Sequence, residues 1–358
     1  MNALELIKPG VRALDQYVVK GKPMSSSLIK LNQNENPFDV PDVLKRDAIE
    51  EFLRSSWNRY PEVFPAQLLE ALAEWTGHPM EGILAGNGSN ELMYTVALSI
   101  VSRGTKVLIP EPTFFLYEKI IRICEGQIVP VPMNEDCSYA PQSIIDAARR
   151  EDPALIILVS PNSPTAQSIP YAEIERILGS TRALVLVDEA YIEFSDHPSV
   201  QSLIAQCDRL MVLRTFSKAF SLAGLRIGYL LTNPALCSEL MKVKVPFAVN
   251  AFSASVAMML LKNPATLNER ITYIKDQKKR VEAELRAIAG VKLFPSDTNF
   301  LIFKTEHNAD ELFGKLLADN VLVRDVSSYP MLGNVLRVNI GTHDENNAFL
   351  ASLKRHMS

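Results

Sequence analysis

L-R-T-F-S-K-A-F-S-L-A-G-L-R-I-G-Y, residues Leu213 to Tyr229, sets a lysine, a hydroxyl and an arginine among apolar residues and two glycines. The apolar runs on either side, Leu210 to Leu213 and Ile227 to Leu231, read as short buried strands. The polar residues therefore fall in the loop between them. Lys218, flanked by Phe216, Ala219 and Phe220, is expected to be partly desolvated, which lowers its pKa from the free value of about 10.4 and frees its amine for attack. A Schiff-base lysine needs that environment. Ser217 and Arg226 supply a hydroxyl donor and a guanidinium fork, a pairing suited to a dianionic phosphate. An ordinary charged surface loop has the same letters, so the rest of the chain has to decide.

At 358 residues the chain is too long for most single cores. Hydrophobic residues make up 47% and charged residues 22%, with a net charge of -4, which excludes a disordered or polyanion-binding chain. No basic run suggests nucleic acid. Cys124, Cys137, Cys207 and Cys237 form no C-x-x-C and read as reduced thiols of a cytoplasmic protein. No run of about 18 apolar residues suggests a membrane span, and no apolar leader follows Met1. His78, His197, His307, His343 and His356 show no metal-ligand spacing.

The stretch 1–40 is broken by Pro9, Gly10, Gly21, Pro23 and Pro37 and reads as an extended arm. Helices follow at Pro41 to Leu53 and at Pro65 to Thr76, the second ending at Gly77. Strands and helices then alternate. Strands are expected at Ile83 to Ala85, Val107 to Ile109, Ile128 to Pro130, Leu155 to Val159, Leu184 to Val187, Met211 to Leu213 and Tyr229 to Leu231, with helices at Glu91 to Val101 and Thr113 to Ile123. Apolar β-branched runs among these strands imply a sheet buried on both faces, hence an α/β fold. After Pro246 the pattern changes to a long amphipathic helix, Pro264 to Ile288. Beyond it lie short strands at Asn299 to Phe303, Val321 to Val323 and Leu336 to Ile340, with a helix from Ala309 to Asp319. The expected organisation is an arm over 1–40 joining a small α+β domain over 247–358, with a large domain over 41–246.

Three more loops fall at strand ends, where open α/β sheets bind ligands. Gly88-Ser89-Asn90 precedes a helix, so its amides and the helix dipole suit a phosphate, although Ser89 or Asn90 would serve equally as a simple N-cap. Asp188-Glu189-Ala190-Tyr191 follows a buried strand, and a carboxylate there needs a cation. A protonated pyridine nitrogen or a neighbouring basic side chain would meet that need. Ser160-Pro161-Asn162-Ser163-Pro164-Thr165 is the third.

The order G-N-G-S-N-E, P-T-F, S-P-N-S-P-T, V-D-E-A-Y-I-E-F and S-K-A-F-S-L-A-G-L-R-I-G-Y resembles the fold-type I pyridoxal-phosphate aminotransferases over almost the whole chain. Within that family, L-N-Q-N-E-N-P-F, R-Y-P-E and L-R-V-N-I-G-T are similar to the histidinol-phosphate aminotransferases. The resemblance implies a large, mostly parallel sheet domain with a smaller α+β domain, pyridoxal 5'-phosphate as cofactor, a homodimer with shared sites, and a phosphorylated amine plus 2-oxoglutarate or glutamate as substrates.

It also implies roles. Lys218 would hold the cofactor as a Schiff base and shuttle the proton. Asp188 would pair with the pyridinium nitrogen. Phe114 would stack on the ring, Tyr191 would donate to its phenolate oxygen, and Ser89, Asn90, Ser217 and Arg226 would hold the phosphate. Tyr60 would reach that phosphate from the partner subunit. Arg324 and Arg337 would bind the substrate's phosphate, and Tyr17 and Asn36 would line its pocket. The family loop P-N-N-P-T-G reads P-N-S-P-T-A at Pro161 to Ala166, so Ser163 stands where an asparagine donates to the ring oxygen. Either Tyr191 carries more of that interaction, or Asn162 or a water compensates. Ala166 in place of glycine implies a different loop course.

Threonine-phosphate decarboxylases and aromatic amino-acid aminotransferases share this framework and remain open. A non-catalytic relative would be expected to lack the lysine or the aspartate. A nicotinamide-dependent oxidoreductase would need a G-x-G-x-x-G after a strand, which is absent.

Overall fold

The computed structural model describes residues 2–16 and 27–357. The expected substrate contact Tyr17 lies outside them. The strands are β1 (Ile29–Lys30), β2 (Ile83–Gly86), β3 (Lys106–Glu111), β4 (Gln127–Pro132), β5 (Leu155–Val159), β6 (Leu184–Asp188), β7 (Leu210–Thr215), β8 (Gly228–Thr232), β9 (Lys292–Leu293), β10 (Phe300–Lys304), β11 (Val321–Leu322), β12 (Arg324–Asp325) and β13 (Val335–Asn339). The helices begin with α1 (Pro9–Arg12), α2 (Asp42–Leu53), α3 (Ala66–Thr76), α4 (Gly88–Ile100), α5 (Phe115–Ile123) and α6 (Pro141–Glu151). They continue with α7 (Tyr171–Ser180), α8 (Pro234–Met241), α9 (Ala251–Leu261), α10 (Pro264–Arg286), α11 (Ala309–Ala318) and α12 (His343–Met357).

Strands β2 to β8 form one seven-stranded sheet in the order β2-β8-β7-β6-β5-β3-β4. Only β8 runs against its neighbours. Successive side chains of a strand face opposite sides, and here both sides are covered. Ile156, Leu158, Val185, Val187, Leu210 and Val212 enter the core that includes α3, α6 and α7. Leu155, Ile157, Leu186, Met211 and Leu213 pack with Leu92, Val96 and Ile120 of α4 and α5. Continuous apolar strands are the consequence of that double burial.

A four-stranded sheet, β12-β13-β10-β9, lies in the carboxyl-terminal part, and β1 pairs in parallel with β11. The segment ahead of β1 is less extended than expected. Ala3–Leu6 forms a 3-10 turn and α1 a single helical turn; Lys119 on α5 donates to the Asp15 carbonyl at 2.9 Å. Helices α6 to α9 and α12 were not anticipated. In α9 apolar residues surround the axis, so the contrast between faces that marks a surface helix is missing. Helix α10 matches the amphipathic stretch, with Leu267, Ile274, Val281 and Leu285 inward.

Ala166 does not adopt the backbone angle suited to a residue with a Cβ that its place in the loop led us to expect. It keeps a left-handed conformation, φ 68, while fully buried, and its carbonyl accepts from the Asp297 amide at 2.7 Å, tying the β5–α7 loop to the segment before β10. A Cβ in that region costs roughly 1–2 kcal/mol per residue, and a glycine returns some of the gain through unfolded-state entropy. Ala166→Gly should therefore raise stability in urea unfolding by about 0.5–1 kcal/mol at unchanged m-value. A loss of stability would mean that the Ala166 methyl packs well enough to outweigh the strain.

Candidate active site

Every parallel strand of the large sheet delivers its carboxyl end to one edge, and the start of the antiparallel β8 arrives there too. The loops so gathered surround a cavity of about 330 Å³. Ser89 and Asn90 follow β2, Phe114 follows β3, Ser163 follows β5, Asp188 and Tyr191 come from β6, and Ser217 and Lys218 follow β7. Arg226 precedes β8, while Arg324 and Arg337 enter from the smaller sheet. Eleven of the residues singled out from sequence thus line one cavity.

Strand parity explains how Asp188 and Glu189, adjacent in sequence, part company. Asp188 follows Leu186 onto the α4–α5 side. There its Oδ2 accepts from the Tyr117 hydroxyl at 2.8 Å and its Oδ1 from the Ala190 amide at 3.0 Å. Burial raises the Asp188 pKa to about 6, against the lowering effect of the Tyr117 and Ala190 hydrogen bonds. Burial also pushes the Tyr117 hydroxyl well above its ordinary range, the Asp188 charge adding to it, so this phenol stays a donor. Glu189 follows Val187 to the other side. Its carboxylate accepts from Arg214 Nε, Ser199 Oγ and the Val200 amide, each at 2.8 Å. The basic partner considered for the aspartate is thus met by the glutamate instead. Arg214 also reaches Glu193 at 3.2 Å. Burial alone would depress its pKa, but the two carboxylates raise it, and the guanidinium stays charged. Neither Tyr117 nor Arg214 was anticipated.

Helix α4 starts at Gly88, three residues earlier than expected, so Ser89 and Asn90 occupy its first turn and Asn87 is the N-cap, with no side-chain capping bond. The turn's amides point outward, where an anion is favoured. Arg226, at φ 55, lies against this turn, with Nη1 donating to Ser217 Oγ and the Ala223 carbonyl, both at 3.1 Å. Two glycines permit the approach. A Cβ on Gly88 would meet Arg226 Nη2 at 2.5 Å, and one on Gly228 would meet the Ser89 amide nitrogen at 2.3 Å. Hydroxyl, guanidinium and helix start therefore converge on one point.

Residues Asn32 to Asn34 thread between the two sheets. Lys218 Nζ donates to the Gln33 carbonyl at 2.9 Å, and Arg337 Nη2 to the Asn32 carbonyl at 2.9 Å. Asn34, at φ 55, donates through Nδ2 to the Tyr191 hydroxyl at 2.9 Å. That hydroxyl is thereby left with its own proton to give. Arg337 Nη1 donates to Ser163 Oγ at 3.2 Å, and its guanidinium lies 5.1 Å from the Phe300 ring centre. Asn162 is committed elsewhere, to the Pro112 carbonyl, Thr113 and Thr165, so it does not stand in for the missing asparagine. Arg324 and Arg337 face each other across the β12–β13 register. Like charges placed so are destabilising unless an anion lies between them.

Two expected contacts are not brought to the cavity. Asn36 donates to the Ala219 carbonyl at 2.9 Å and faces a neighbouring depression, while Asn34 takes the cavity position. Tyr60 is 83% exposed and stacks on Phe247 at 4.7 Å. The alternation of Leu31 to Phe38 could have indicated Asn34, but for Tyr117 the only signal was its helical spacing on α5.

The family model for aminotransferase class I and II matches residues 26–353. The chain is 45% identical over 98% of its length to the histidinol-phosphate aminotransferase of Chlorobaculum parvum, covering 98% of that protein. The crystal structure of histidinol-phosphate aminotransferase from Sinorhizobium meliloti, in complex with pyridoxal-5'-phosphate, superposes with a TM-score of 0.87 at 22% identity, over 99% of this chain and 98% of that one. That of L-threonine-O-3-phosphate decarboxylase from Porphyromonas gingivalis gives 0.81 at 26% identity, over 91% and 98%.

The packing of Gly228 on the Ser89 amide makes a direct prediction. Gly228→Ala should displace the α4 start from Arg226, lowering stability by about 1–3 kcal/mol and weakening the binding of inorganic phosphate in calorimetry. Undiminished phosphate binding would mean that the anion is held elsewhere.

Proposed function

This chain belongs to the class I and II aminotransferase family, and from that premise we propose that it transfers the amino group of histidinol phosphate to 2-oxoglutarate, using pyridoxal 5'-phosphate. The observation that carries the reading is one cavity holding a lysine, a buried carboxylate and an anion cradle on one side and two opposed arginines on the other. The donor set fits the cofactor. The uncapped α4 start, Ser217 and Arg226 suit its phosphate, Asp188 lacks a strong cationic hydrogen-bond partner, and the buried Oδ1 atoms of Asn32 and Asn34 have no partner among the described residues. Bound there, pyridoxal phosphate supplies a carbonyl carbon that takes up an amine and a ring that withdraws electrons.

The chain's own residues divide the remaining work. Ser89, Asn90, Ser217 and Arg226 fix the phosphate. Asp188, ionised above about pH 6, holds the ring nitrogen in its protonated form. Phe114 would cover the ring face, and Tyr191 would donate a hydrogen bond to the ring oxygen while Asn34 holds its hydroxyl in place. Ser163 joins the ring side of the cavity to Arg337. Lys218, resting on the Gln33 carbonyl, is the amine that would hold the cofactor's carbonyl carbon and would serve as the base for a proton there. Arg324 and Arg337 take the substrate's phosphate, which removes their mutual repulsion. The arm over 1–40, the large domain over 41–246 and the small domain over 247–358 are proposed as the working units.

The reading includes a homodimer. Trp57, Tyr60, Val63, Phe64, Val245 and Phe247 are exposed apolar residues, and Tyr60 does not line its own chain's cavity. It would complete the phosphate site of a second copy.

Borohydride treatment of the yellow holoprotein should fix the label on Lys218, with turnover of histidinol phosphate but no carbon dioxide from threonine phosphate. The reverse preference would replace transamination by decarboxylation. Arg324→Ala should reduce turnover of histidinol phosphate by about ten- to a hundredfold while sparing the half-reaction with phenylalanine. Mixing Lys218→Ala and Tyr60→Ala chains should restore activity, because one site of the heterodimer is intact. No rescue in proven heterodimers would remove Tyr60 from the site.

A further inference from the structure

The buried hydrogen bond beneath the cavity is not explained by packing alone. Tyr117 is the third residue of α5, fully enclosed by the core that α4 and α5 share with the sheet. A buried phenol needs a partner, and a backbone carbonyl would serve. Its hydroxyl instead donates to Asp188 Oδ2 at 2.8 Å, while its ring meets the Phe114 ring edge-on at 6.3 Å. Phe114 and Asp188 both line the cavity, whereas Tyr117 does not.

Four titratable side chains bear on Asp188. Tyr117 comes from α5, Tyr139 from the loop before α6, Glu189 from the next position and Lys218 from the loop after β7. Tyr139 spends its hydroxyl on the Val159 carbonyl. Glu189 is turned away and tied to Arg214, and Lys218 donates to the Gln33 carbonyl. Among the described residues Tyr117 is thus the one side chain that hydrogen-bonds Asp188.

We propose that Tyr117 is a positioning residue of the cofactor site, fixing from behind both the carboxylate that meets the ring nitrogen and the phenylalanine that covers the ring face. The proposal rests on the cofactor assignment made above. Tyr117 touches neither cofactor nor substrate. Its hydroxyl occupies one lone pair of Oδ2 and fixes the carboxylate plane, leaving the cavity-facing lone pairs for a ring N–H. A donor to the charged form also opposes the protonation that burial promotes. Without it Asp188 takes up a proton at higher pH and ceases to be an anion toward the ring.

The test is a spectral titration of the apoprotein with pyridoxal phosphate and with 1-deazapyridoxal phosphate, which has no ring nitrogen, across the Asp188 titration at about 6. Tyr117→Phe should weaken pyridoxal phosphate binding by about ten- to a hundredfold near neutral pH. It should also move the pH at which affinity is lost upward, and leave binding of the deaza analogue unchanged. 3-Fluorotyrosine in place of Tyr117 keeps the shape and strengthens the donor, so it should move that pH downward. Equal weakening of both cofactors by Tyr117→Phe, or an unmoved pH midpoint in both variants, would overturn the proposal. Failure of the wild-type protein to bind pyridoxal phosphate would instead overturn the cofactor assignment beneath it.

Discussion

A carboxylate buried at the end of a strand has to be met by hydrogen bonds and by positive charge, and Asp188 organises its surroundings through that demand. The strand cannot present Asp188 to the α4–α5 side without presenting Glu189 to the other. Each face must then supply its own answer. On one side it is a phenol and an amide with an open cavity beyond; on the other it is an arginine, a serine and a helix start. Arg214 and Thr215 on β7 repeat the division, since Arg214 serves the structural face and Thr215 lines the cavity. Two adjacent acids therefore do unlike work without any irregularity in the strand.

What could be read from the sequence was what depends on chain order. Asp188, Ser89 and Lys218 stand at or just after the carboxyl ends of apolar runs, which share one destination in a parallel sheet, and Arg226 stands just before a run that returns from that same edge. Tyr117 lies mid-chain in an amphipathic helix, where its spacing matches that of a core aromatic, and its contact spans 71 residues. Arg214 sits inside an apolar strand, its partner one strand away. Asn36 was expected in the pocket and Asn34 was not, although the two alternate in the same motif; what separates them is the backbone turn at Asn34, φ 55, a local angle that the motif does not announce. Helix α9 failed for another reason: a helix buried all round has no polar face to mark its period.

The position of Ser163 shows how a short side chain can alter a circuit rather than break it. Its hydroxyl accepts from Arg337, which is carried by the smaller sheet, so the β5 loop and β13 are joined inside the cavity. The neighbouring backbone reinforces the junction, because the Ala166 carbonyl holds the Asp297 amide a few residues ahead of β10.

The thread of Asn32 to Asn34 has a geometric consequence. Lys218 and Arg337 belong to different sheets, yet each rests on a carbonyl of this thread, one residue apart. Before the cavity is filled, the lysine and the arginine are thus held on consecutive residues of a third element rather than by direct contact between the sheets. A shift of this thread would move both resting contacts together, so the two ends of the cavity share one mechanical support.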